Sequence, residues 1–120
     1  MVREETIENA EITKVTISMA DHGCLTFFLT LQGKGWGINF GGYCIGHGSL
    51  GADKFDASGS GLVAMMKIMD TVGVERWERL EGKLVRVKGV HWGGTITTIG
   101  NIIEDKWFNI EEFFKNYQEE

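Results

Sequence analysis

Two β-patterned segments joined by a short polar elbow constrain this chain more than any other feature. Val15, Ile17 and Met19 alternate with Thr16, Ser18 and Ala20; beyond the elbow, Leu25, Phe27, Leu29 and Leu31 alternate with Thr26, Phe28 and Thr30. A period of two puts alternate side chains on opposite faces of a strand, and the elbow Met19-Ala-Asp-His-Gly-Cys-Leu-Thr26 leaves room only for an antiparallel return. A hairpin is therefore expected. Its turn and the following glycine-rich run, Gly33 to Tyr43, collect Asp21, His22, Trp36, Asn39, Phe40 and Tyr43. Stacking surfaces and hydrogen-bonding groups thus lie beside glycines that let a ligand approach the backbone, as a small, polar, partly aromatic molecule would require.

The rest of the chain extends this start. From about Ile7 to Ala20 the inward face switches from Ala10 and Ile12 to Val15, Ile17 and Met19, which predicts a bulge near Thr13 and Lys14. A second strand is expected from about Cys24 to Gln32, a third strand or strand pair from Trp36 to Ile45, and a loop from His47 to Gly61. A helix follows, capped by Ser58 or Ser60, with Leu62, Met65, Met66, Met69 and Val72 at helical spacing as core and Gly73 as its stop. Glu75 to Leu80 suggests a short helical turn, Lys83 to Lys88 a strand, His91-Trp-Gly-Gly94 a turn, and Thr95 to Ile103 a last strand. Asn109 with Glu112 forms a capping-box start for a terminal helix whose stripe is Ile110, Phe113, Phe114 and Tyr117. That stripe packs either on its own sheet or on another copy of the chain. The expected class is α+β: a single domain, residues 1–120, with a mainly antiparallel β-sheet, a mid-chain helix and a C-terminal helix.

A formal charge of −5 removes the generic attraction for long nucleic acid, while a compact anion remains bindable through one arginine or a few backbone N–H groups. No segment reaches transmembrane length and the N-terminus has no apolar leader core, so no membrane partner is expected and the protein should stay where it is made. Turns fall to glycine, of which there are 17, because proline is absent.

Catalytic and cofactor signatures are weak. Gly35-x-Gly37 has Phe40 where a dinucleotide fingerprint needs its third glycine, lies on a strand pattern, and is not followed by a P-loop lysine. No cofactor is expected. His22, Cys24, Cys44 and His47 are zinc-type ligands, but their spacing in strand and loop context is not that of a zinc motif. No metal site is expected, and the cysteines read as reduced, buried small hydrophobes. Asp21 beside His22 reads as a turn stabiliser. Arg86 shares a face with Leu84 and Lys88, which fits a solvated face or a contact to phosphate or ribose. Ser58-Gly-Ser-Gly61 reads as a plain cap or an anion contact. Asn101 and Glu104-Asp-Lys-Trp-Phe108 place polar groups and two aromatics between the last strand and the terminal helix.

Glu8-Asn-Ala-Glu-Ile12, Met19 to Thr26, Gly35-Trp-Gly-Ile-Asn-Phe-Gly-Gly-Tyr43, Val72-Gly-Val-Glu-Arg-Trp77, Leu80-x-Gly-Lys-Leu-Val-Arg-Val87 and Ile99-Gly-Asn-Ile-Ile-x-Asp-Lys-Trp-Phe108 together resemble the Thoeris anti-defence protein 1 family over nearly the whole chain. The resemblance implies a phage-encoded, non-enzymatic sponge acting in the cytoplasm of an infected bacterium. It would sequester, without cleaving, the cyclic ADP-ribose signal (glycocyclic, linked ribose to ribose) made by TIR-domain enzymes. Some members also bind cyclic trinucleotides of CBASS immunity at a separate site, in a hexamer built from dimers. It implies a homo-oligomer with the signal site between subunits. Within these motifs, side-chain chemistry assigns Phe40, Tyr43 or Trp36 to stacking, Arg86 and Lys106 to phosphate, and Asp21, His22 and Asn101 to polar contacts. The alternatives are a small enzyme degrading such a signal with His22 or His47 as acid or base, and a protein-interaction module.

Overall fold

The computed structural model describes residues 6–89 and 96–117. The leading hairpin forms from β1 (Ile7–Asp21) and β2 (Cys24–Gly33), with Asp21 opposite Cys24. His22 and Gly23 occupy the turn at φ 52° and 78°, so both central residues are left-handed, as a twist-matched two-residue hairpin requires. The β1 register shifts between Ile12 and Lys14. That is the bulge the face switch predicts, and it turns Val15 toward the core behind buried Ala10 and Ile12. Ile17 departs from expectation: it is 46% exposed although Phe27 opposite it is fully buried. The buried core takes Ala10 and Ile12 from β1, and Val15 is the last β1 residue packed against it.

One antiparallel sheet of eight strands forms among the described residues. Its order is β5 (Asp56–Ala57), β4 (Gly46–His47), β2, β1, β6 (Leu84–Lys88), β7 (Thr98–Asn101), β8 (Trp107–Asn109), with β3 (Trp36–Gly41) paired to β2 beside β4. The stretch expected as a loop from His47 therefore contains a two-residue strand pair and the start of a helix. β8 is likewise too short to announce itself by alternation. The expected last strand is only four residues long, and the turn at His91 to Gly94 lies outside the described residues.

Apolar side chains of β1, β2, β3, β6 and β7 form the inner face, where Phe27, Leu29, Leu31, Phe40, Val85, Val87 and Ile99 are fully buried. α1 (Gly59–Val72) closes this face at β7 and β8. Ser58 caps α1 by accepting from the Gly61 N–H, and Gly73 ends it at φ 93°. The helix is rotated relative to the expected stripe: Gly61, Ala64, Ile68 and Thr71 are buried, whereas Leu62 and Met66 are each 62% exposed. Close approach decides the rotation. A Cβ on Gly61 would sit 2.4 Å from Ile45 Cβ, so the small-residue face has to be the one against the sheet. A 3₁₀ turn, Trp77–Leu80, adds an edge-on Trp77 contact to Phe27.

α2 (Ile110–Asn116) starts at the Asn109 cap, whose side chain accepts from the Glu112 N–H at 3.0 Å. Phe113 packs on Phe108 and Phe114 on Tyr43, with centroids 5.5 and 4.6 Å apart, so the terminal stripe packs on its own chain. Among the described residues no helix is long and apolar enough to cross a membrane.

Candidate ligand-binding surface

Cross-strand register places Arg86 opposite Gly100, and Gly100 opposite Trp107, in one row on the face of the sheet away from α1. With no side chain at Gly100, the Trp107 ring lies over it; a Cβ there would come within 2.3 Å of the ring. Arg86 Cζ stands 4.5 Å from the Trp107 ring centroid and Lys88 Nζ 4.1 Å. Such cation–π contacts are worth about 0.5–1 kcal/mol where exposed. Trp107 Nε1 donates to Asp105 Oδ1 at 2.6 Å, which fixes the ring's orientation. The result is an aromatic plane bracketed by two cations.

Arg86 also has structural work. Its Nε donates to Asn101 O at 2.7 Å and its Nη2 to Glu104 O at 2.8 Å, tying β6 to the turn before β8. Asn101 sits on the opposite face of the sheet. Its Nδ2 donates to the carbonyls of Thr71 and Val72 at the end of α1, and its Oδ1 accepts from the N–H groups of Ile103 and Glu104. That side chain fastens helix to turn. Lys106 points to the same side and reaches Asp70, with Nζ 3.0 Å from its carbonyl oxygen and 3.3 Å from Oδ1. Since the Lys106 and Asp70 side chains are 40% and 74% exposed, the pair contributes at most about 1 kcal/mol and yields readily to a stronger anion. It borders a cleft of about 600 Å³ between α1 and α2, lined also by Lys67, Glu112, Asn116 and Tyr117.

The other expected ligand contacts lie elsewhere. Phe40 is fully buried opposite Leu29, so it is core and has no face to offer a ligand. Trp36 is half-buried over Gly33, its Nε1 donating to Glu8 Oε1 at 3.3 Å. Tyr43 stacks on Phe114, and partial burial, followed by the Glu111 carboxylate, raises its hydroxyl above the usual tyrosine range. His22 is exposed at the hairpin turn; Asp21 ends β1, and its side chain lies outside the described residues. Gly33, opposite Trp36, and Cys24, beside the turn, are the two ends of β2, about 30 Å apart at strand rise. Within one chain, then, Trp36 and His22 cannot share a small ligand, and the stretch from Met19 to Tyr43 is not a single wall.

Sequence reasoning left Lys88 and Trp107 off the list of ligand contacts, although it noted the aromatics of the Glu104–Phe108 segment. The usable signal was the alternation in β6, which gives Lys88 the same face as Arg86; the contribution of Trp107 depended on a strand too short to detect. It also set aside a group that the fold assembles. The ligand atoms of Cys24, Cys44 and His47 lie within 4.8 Å of one another, and Cys44 is exposed instead of buried. Comparison with known protein families, curated proteins and solved structures gave no match. The family resemblance therefore stands on the sequence motifs alone.

Proposed function

We propose that this chain is a non-enzymatic capture protein for a compact anionic nucleotide signal, the cyclic ADP-ribose of TIR-domain immunity, in keeping with its resemblance to the Thoeris anti-defence sponges. The observation that carries this reading is the Trp107 ring with Arg86 and Lys88 over it, on the face of the sheet away from α1. The two cations cover the indole, so adenine stacks on it as a diphosphate draws the Lys88 ammonium aside. Local cations on a chain of net charge −5 favour a small anion over long nucleic acid.

Capture works by exchange of partners. Phosphate oxygens approach Arg86 and Lys88 on the face of the sheet away from α1. Nothing in this sequence of contacts needs a nucleophile or a proton shuttle. Assembly of copies completes the enclosure: the hairpin turn at His22 comes to a ligand at this corner only from a second chain. Exposed Leu62 and Met66 on α1, with Leu50 and Phe55 in the β4–β5 segment, supply apolar surface for that contact. Cyclic trinucleotides would occupy a separate site of the same assembly, within the cytoplasm of an infected bacterium.

The test is recovery of the ligand. Protein saturated with the ribose-linked cyclic ADP-ribose isomer is denatured and the released nucleotide identified by mass spectrometry; a cyclic trinucleotide is run separately. Intact ligand, recovered in proportion to the protein, is expected. A hydrolysed or rearranged product would make the chain an enzyme.

A further inference from the structure

The cluster of Cys24, Cys44 and His47 lies away from the β6–β8 corner and has no part in the capture described above. Cys24 and His47 are direct cross-strand partners at the start of β2 and in β4, so their side chains share one face of the sheet. Cys44 comes from the segment that carries the chain from β3 back to β4. Its Sγ is 3.6 Å from His47 Nε2, and all three ligand atoms lie within 4.8 Å of one another. In a tetrahedral zinc site, with Zn–S of about 2.3 Å and Zn–N of about 2.0–2.1 Å, the sulfur-to-nitrogen separation is about 3.6 Å and the sulfur-to-sulfur separation about 3.8 Å. One edge of the tetrahedron already has its metal-bound length, and closing the others takes at most about 1.2 Å.

The backbone holds this arrangement in place. The Ile45 N–H donates to Leu25 O, the Gly48 N–H to Gly23 O and the Ser58 N–H to Ile45 O, each at 2.8 Å. Cys44 and His47 are thus fixed from both sides against the strand that carries Cys24. Two thiolates and an imidazole suit a borderline-soft divalent ion, and hard cations such as Mg²⁺ or Ca²⁺ are disfavoured.

We infer that Cys24, Cys44 and His47 form a zinc site with three protein ligands and a solvent-facing fourth position. Cys24 is half-buried while Cys44 and His47 are exposed, so the open position is reachable by water or by an anionic donor. Binding converts two thiols to thiolates and uses the lone pair of a neutral His47 Nε2. Zn²⁺ enters, two protons leave, and the charge of the first coordination shell is unchanged. The thiol contact of Cys44 to the Gly46 carbonyl, 3.3 Å, gives way to the metal bond. The metal would pin the segment between β3 and β4 to the hairpin.

The probe is Co²⁺, followed by Zn²⁺, on full-length protein kept reduced with a phosphine. One equivalent of Co²⁺ per chain should give thiolate-to-cobalt charge transfer and intense tetrahedral d–d bands, both bleached by one equivalent of Zn²⁺. In weakly buffered solution two protons should be released per zinc bound. Cys44→Ser and His47→Ala, both at exposed positions, should keep the wild-type circular dichroism. Each should lower Zn²⁺ affinity by at least about 100-fold, beyond what loss of a second-shell partner costs. Weak octahedral cobalt spectra, or unchanged affinity in both folded variants, would overturn the site. Since the readouts are spectra and protons, they are independent of whether the chain captures a nucleotide.

Discussion

The hairpin with β3 and the corner made by β6, β7 and β8 are opposite cases. The first is rich in glycines, aromatics and polar turn residues along the sequence, yet Phe40 goes to the core and Tyr43 to Phe114. Trp36, seated over Gly33 and bonded to Glu8 much as Trp107 is seated over Gly100 and bonded to Asp105, lacks, among the described residues, the cation pair that Trp107 has. The second reads as an ordinary strand followed by a polar loop, yet it gathers Arg86, Lys88 and Trp107 from two strands across a glycine on a third. Neighbours along the chain alternate between faces of a sheet. Neighbours across it share one, and they make surfaces.

Truncating one residue from each region should expose the contrast. Phe40→Ala should cost about 3–5 kcal/mol of stability, as expected for a large buried ring, read as a lower denaturation midpoint. Trp107→Ala should cost much less in stability. A Phe40→Ala protein that folds as stably as the parent would return that ring to the list of ligand contacts.

Asn101→Ala comes next in size. It strips the end of α1 and the following turn of four hydrogen bonds from one amide, for an expected loss of about 2–3 kcal/mol. Thermal melting with and without nucleotide separates the roles. A fastener loses stability in both conditions by the same amount, whereas a ligand contact would lose mainly the increment that nucleotide adds.

Arg86→Ala sharpens the comparison within the corner itself. Binding of the anionic ligand should weaken by about 1.5–3 kcal/mol, the range for losing a charged hydrogen bond. Stability should also fall, by about 1–2 kcal/mol, because the bonds to Asn101 O and Glu104 O go with it. Lys88→Ala, which removes the other cation over the ring, separates the two effects. It should weaken binding while lowering stability by no more than its cation–π contact is worth, about 0.5–1 kcal/mol.

Tyr43 gives the smallest effect. Its hydroxyl titrates higher in the folded chain than in the unfolded one, through partial burial and then Glu111. Above the ordinary tyrosine value of about 10 the unfolded state loses its proton first, so this contribution to stability is complete below that pH and is lost as pH rises through the folded value. Urea titrations across this alkaline range should show a falling midpoint, and Tyr43→Phe should flatten the fall.

The legible parts of the fold were those carried by local chemistry. The bulge followed from a switch of inward face at Thr13 and Lys14, the helix caps from Ser58 and Asn109, and the hairpin from alternation around His22 and Gly23. The illegible parts depended on partners distant in sequence. β4, β5 and β8 are two or three residues long and exist because a neighbouring strand pairs with them. The rotation of α1 was set by Gly61 against Ile45, a contact hidden in a helix with apolar residues on several sides. At the candidate site, residue type alone selected Arg86, Asn101 and Lys106. Only the register showed that Asn101 and Lys106 face α1 while Arg86 faces Trp107. The same limit hid the approach of Cys24 to Cys44 and His47, which sequence spacing argued against.

Calorimetric titration of the ribose-linked cyclic ADP-ribose isomer into the parent chain, Trp107→Ala and Trp36→Ala decides between the β6–β8 corner and the hairpin as the capture site. Base–aromatic stacking is worth about 1–3 kcal/mol, so Trp107→Ala should weaken binding by about fivefold to more than a hundredfold, with Trp36→Ala close to the parent. Loss of binding in Trp36→Ala with Trp107→Ala unaffected would place the ligand at the hairpin and contradict the account.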